Sequence, residues 1–137
     1  MEYHQFLGQV QHRARLADFE DAVTATRATL QTLGERLFGG EAGNLAAQLP
    51  KEIGHYLLEA TKSESFGFDE FIDRVCIREG VERPKATFHA RVVMELVREA
   101  VSPSLLAKVR AQLPADYNAL FAATGVGTRE SPPQDLL

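Results

Sequence analysis

Few side chains in this 137-residue chain are spaced to do chemistry. There are four histidines, His4, His12, His55 and His89, and one cysteine, Cys76. His4 and His12 stand eight residues apart, about 12 Å along a helix, too far to share one metal ion. Glu52 and His55 have the Glu-x-x-His spacing used by carboxylate-bridged di-iron bundles. Such a centre needs a second copy of the motif, and the stretch 64 positions on, Asp116-Tyr117-Asn118-Ala119, ends in alanine. The expectation is a surface Glu and His with no metal and no cofactor. His89 lies in the apolar stretch TFHARVV, which predicts a half-buried, hydrogen-bonded imidazole. No serine or cysteine stands at a spacing that would make it a nucleophile's base. A lone cysteine forms no intramolecular disulfide and no thiolate metal site. Between Val75 and Ile77 it reads as an inert structural thiol, and Arg74 and Arg78 would favour its thiolate only if it were exposed. The glycines at 39–40 and 125–127 follow no strand and precede no Lys-Ser/Thr, so they form neither a phosphate loop nor a dinucleotide fingerprint. With no catalytic constellation readable, the chain is expected not to be an enzyme.

Composition narrows the field further. Net charge is −4, whereas a protein that neutralises nucleic-acid phosphates normally carries a basic patch. The most basic stretch, residues 74–110, interleaves its arginines and lysines with Glu79, Glu82, Glu95 and Glu99. That is the pattern of a solvated, ion-paired helix surface, so nucleic acid is not an expected partner. No apolar run approaches the ~20 residues of a membrane span, and MEYHQF lacks the start of a signal peptide. A soluble, cytoplasmic protein is expected. Hydrophobic residues at 45% are enough to build a core.

The elements that must position these residues all read as helices. Phe6, Leu7 and Val10 share one face. Asp18 precedes an apolar stripe of Phe19, Ala22, Val23, Leu30, Leu33 and Leu37. Pro50 forces Leu49 out of the helical region and opens a new helix. The stretch 62–68, KSESFGF, reads as a loop. Beyond it Phe71, Ile72 and Val75 repeat the first pattern, Pro84 opens a long helix, Ser102 and Pro103 start another, and Pro114 starts the last.

Residues 22–50 set against 86–114 without a gap match at Ala22/Ala86, Arg27/Arg91, Glu35/Glu99 and the Ala-Gln-Leu-Pro at 47–50 and 111–114. Leu30, Leu33, Leu37 and Leu45 fall on Met94, Val97, Val101 and Val109, so the apolar stripe keeps its phase. A spacing of 65 aligns FLGQV with FIDRV. The simplest account is a duplicated unit. A unit of about 64 residues is marginal alone, so the expectation is an all-α domain of two tandem repeats, 1–64 and 65–123, packed about a pseudo-two-fold on one core, with a flexible tail at 124–137. Gln48, Pro50, Gln112 and Pro114 mark the two joints. The polar residues kept in both repeats, Arg27, Glu35, Arg91 and Glu99, are expected to cross-brace them, the arginine of one to the glutamate of the other.

The segments FLGQV at 6–10, LGERLFGGEAGNLAAQLP at 33–50, FIDRV at 71–75, VREAVSPSLLAKVRAQLP at 97–114 and YNALF at 117–121 together resemble the bacterial DUF2267 family, a domain of unknown function. The resemblance covers about residues 3–123. It implies a small helical domain of two related halves, with some association to stress response, and carries over no activity and no catalytic residue. The first joint departs from the pattern in its Gly39-Gly40 turn, where the second has Ser102-Pro103-Ser104. The functional expectation is a non-enzymatic module that binds an unidentified protein or a second copy of itself. The alternative is a small-molecule-binding protein with its pocket between the halves.

Overall fold

Glu2 starts the first helix by accepting hydrogen bonds from the His4 and Gln5 amides, while Gln5 accepts from the Glu2 amide. The computed structural model describes residues 1–125, and every regular element among them is a helix. In order they are α1 (Tyr3–Arg13), α2 (Phe19–Arg36), α3 (Glu41–Ala47), α4 (Lys51–Leu58), α5 (Phe68–Glu79), α6 (Arg83–Ala100), α7 (Pro103–Ala111) and a final 3-10 helix (Ala115–Phe121). Most of the tail expected at 124–137 lies outside the described residues. Among the described residues no helix is long and apolar enough to cross a membrane.

The two 18-residue helices, α2 and α6, touch each other at the centre. Both α1 and α5 pack across this pair. Phe6, Leu7 and Val10 from α1 and Phe71, Ile72 and Val75 from α5 are fully buried, together with Leu30, Leu33, Val92, Val93, Leu96 and Val97 of the central helices. Each such side chain contributes about 1.5–3 kcal/mol on leaving water. The expected loop is observed between Leu58 and Phe68, and Ser102 caps α7 by accepting from the Leu105 amide at 3.3 Å.

The two Gln-Leu-Pro joints are alike up to the proline and differ after it. Pro50 leads into the α-helix α4, but Pro114 leads into a 3-10 helix. In α4 the lack of a Cβ at Gly54 lets the helix backbone lie against α3, since an added Cβ would sit 2.6 Å from the Ala46 carbonyl oxygen. Gly34 does the same for α2, where a Cβ would meet the Leu57 carbonyl oxygen at 2.2 Å. The positions 64 further on are Asn118 and Arg98, whose side chains forbid that approach. Hydrogen bonds hold the 3-10 turn instead. Arg98 donates to the Phe121 carbonyl (3.1 Å), and the buried Tyr117 hydroxyl donates to the Phe66 carbonyl (2.8 Å).

Candidate ligand cleft

Helix α1 ends in an unusual way. Arg15 has φ +57°, the one left-handed residue besides glycine among those described. Its amide donates to the His12 carbonyl (3.2 Å), and the Leu16 amide donates to the Gln11 carbonyl (2.9 Å). This is the Schellman pattern, whose left-handed position normally holds glycine. An L-residue there costs about 1–2 kcal/mol. Sixty-five positions on, α5 ends in the same conformation on Gly80, φ +77°.

These two helix ends, with the first turns of α2 and α6, enclose a cleft of about 500 Å³. Its lining includes matched positions, three of the four pairs unlike in chemistry: Ala14 and Glu79, 65 apart, and Asp21 and Lys85, Thr24 and Phe88, each 64 apart, while Leu16 and Val81 are both aliphatic. At the cleft wall His89 donates from Nδ1 to Oε2 of Glu79. Their side chains are only 7% and 4% exposed. The other carboxylate oxygen, Oε1 of Glu79, is buried and has no hydrogen-bond partner among the described residues, and a buried unpaired acceptor costs about 1–3 kcal/mol. Arg15 and Lys85 bring exposed cationic side chains to the same cleft.

The joint residues bind across the chain. Gln48 accepts from the Ser102 amide at 2.8 Å, and Gln112 accepts from the Phe38 amide at 2.8 Å. Gln112 also donates to the Phe38 carbonyl. Pro50 and Pro114 stand at the N-caps of α4 and the 3-10 helix. The expected arginine-to-glutamate partners are not those formed. Arg27 donates to Glu59, at 3.1 and 3.0 Å, rather than to Glu99. Arg91 donates to the Ala122 and Ala123 carbonyls rather than to Glu35. The glutamates do reach distant helices, but to other arginines. Glu35 accepts from Arg74 and Arg78 of α5, and Glu99 accepts from Arg13 of α1 at 2.8 and 3.0 Å. Each glutamate lies under the helix that packs across α2 and α6, whereas Arg27 and Arg91 lie where the chain's own next segments return. Burial works to raise the Glu35 pKa, and the hydrogen bonds from Arg78 and Arg74 outweigh it, leaving the carboxyl below its ordinary value.

A family model described as "Uncharacterized conserved protein (DUF2267)" matches residues 3–120. The chain belongs to the DUF2267 family. No curated protein matches it.

In this DUF2267 chain the remaining candidates are dispersed. Exposed His55 and Glu52 line a separate groove of about 810 Å³ over α3 and α4, with Tyr3, Ala46, Ala47 and Leu58. His4 stacks on Phe19, ring centres 5.8 Å apart. No group of three or more His, Cys, Asp or Glu among the described residues could hold a metal ion. Cys76 is half-buried, and burial pushes its thiol pKa up. Glu79, Arg15 and Lys85 were not singled out by spacing. The signal available was the mismatch at matched positions: Ala14 against Glu79, Arg15 against Gly80, Asp21 against Lys85 and Ala25 against His89.

Proposed function

We propose that the chain is a non-enzymatic binding domain of two related helical halves, residues 1–64 and 65–123, that holds a small molecule in the cleft between them. The observation that carries this reading is Oε1 of Glu79, a buried acceptor without a partner among the described residues, on a side chain that lines a cleft of ligand size. The pseudo-two-fold is supported by contacts that recur at the repeat spacing. Gln48 to Ser102 is matched by Gln112 to Phe38, and Arg13 to Glu99 is matched by Arg78 to Glu35. On such an axis each half lends the same positions to the cleft, and their divergence turns a symmetric seam into a polar, asymmetric site. Binding rather than catalysis is favoured because the one hydroxyl lining the cleft, Thr24, donates to the Glu20 carbonyl. Native mass spectrometry of gently purified protein, followed by amide NMR of the full chain with a small-molecule cell extract, tests the reading. The expected result is a reproducible added mass, or shifts confined to residues 14–24 and 79–89. Neither, in any fraction of the extract, would overturn it.

The second reading, a protein-binding or self-associating module, draws on the groove over α3 and α4, where Leu58 is 54% exposed. A clean multiple of the 15.1 kDa mass that the substitution Leu58→Lys abolishes would favour it.

A further inference from the structure

We infer that the cleft takes a small zwitterion, an ammonium or other N–H donor seated against Glu79 and a carboxylate or phosphate held by Arg15 and Lys85. The inference rests on the cleft reading and names its ligand class. His89 occupies only one oxygen of Glu79 and leaves Oε1 without a donor. Thr24 does not supply one, since its hydroxyl is committed to the Glu20 carbonyl. No donor among the described residues reaches it, and a donor seated in the cleft that Glu79 lines is the partner the inference assigns.

Arg15 presents the opposite lack. Arg13, Arg27, Arg36, Arg74, Arg78, Arg83, Arg91, Arg98 and Arg110 each donate to a carboxylate, a carbonyl or a side-chain amide. Among the described residues Arg15 is the one arginine whose side chain makes no hydrogen bond and no ion pair, and it is also the one held in a glycine-favouring conformation. The matched helix end relieves that strain with Gly80. No side-chain contact among the described residues offsets the cost of an arginine rather than a glycine at this position, and an anion bound at the cleft would supply one. Lys85, likewise without an ion pair among the described residues, stands on the facing wall. A molecule carrying both charges satisfies Glu79 and Arg15 together, and one carrying a single charge leaves the other group unmet.

The test uses 6-aminohexanoate and 4-aminobutyrate against hexanoate and hexylamine, read by amide NMR titration of the full chain. At least one zwitterion should shift residues 14–24 and 79–89 and bind at least about tenfold more tightly than either single-charge probe. The substitution Arg15→Gly should raise Tm and erase that advantage, leaving the zwitterion no better than hexylamine. Glu79→Gln should leave it no better than hexanoate. Retention of the advantage in folded Arg15→Gly protein would overturn the role of Arg15. Zwitterions that bind no better than the single-charge probes, while uncharged extract fractions still shift the cleft amides, would overturn the ligand class and leave the cleft reading standing. Shifts from no probe and no extract would overturn both.

Discussion

Helix α4 and the 3-10 helix follow the same Gln-Leu-Pro triplet and are held by different means. Gly34 and Gly54 bring the backbone of α4 against α2 and α3, so its fit is set by contact between main chains. The matched positions in the second stretch are Arg98, on α6, and Asn118, in the 3-10 helix, which is tied down by side-chain hydrogen bonds from Arg98 and Tyr117. One local sequence thus serves two packing modes. Main-chain contact leaves no tolerance for added atoms, whereas side-chain bonds allow a looser fit and can be removed one at a time.

The contrast is sharpest at Gly34. The substitution Gly34→Ala drives a Cβ into the Leu57 carbonyl and should cost about 3 kcal/mol, measured by urea denaturation. A change under 0.5 kcal/mol would show that α4 shifts freely and would remove the distinction. Tyr117→Phe, on the other side of the comparison, should cost about 1–2 kcal/mol through loss of the buried bond to the Phe66 carbonyl, with the helical circular-dichroism signal kept. The two ends of α1 and α5 offer a second pair. Gly80→Ala should destabilise by about 1 kcal/mol, and Arg15→Gly should stabilise by about the same amount, because each substitution exchanges strain for relief at a left-handed residue.

The smallest expected effect separates the two glutamate braces. Glu35 takes two arginines and Glu99 takes one. The Glu35 carboxyl lies below its ordinary value of 4.5 in the fold. The unfolded chain therefore takes up the proton first as pH falls. Stability from this brace is complete above about pH 4.5 and declines as pH drops through the lowered value. A Tm series from pH 6 downward should fall less steeply in Glu35→Gln than in the parent chain. Parallel curves would show that the brace contributes nothing to acid sensitivity.

Much of the helical layout was readable before any coordinates. Proline before a helix, serine before Pro103 and apolar residues at one-, three- and four-residue steps are local instructions, and they placed α2, α5, α6 and α7 within a few residues of where they lie. The partners of the four repeated polar residues were not readable. Periodicity says which face a long side chain leaves from, and it does not say which helix crosses that face. Arg27 meets Glu59 because the glycine contacts bring the end of α4 over α2, a consequence of packing two segments 32 residues apart.

The amino-acid sequence by itself determined that the chain is helical, where most of its helices start and stop, and that two stretches share one pattern at a spacing of 64 or 65. These follow from backbone sterics, capping and periodicity, all of which act within a few residues. Only the tertiary structure decided that the last turn is a 3-10 helix, which arginine meets which glutamate, and that Glu79, His89, Arg15 and Lys85 share one cleft. Those outcomes depend on how closely two helices approach, and in this fold that is set by the presence or absence of a single Cβ and by the crossing of segments distant in the chain.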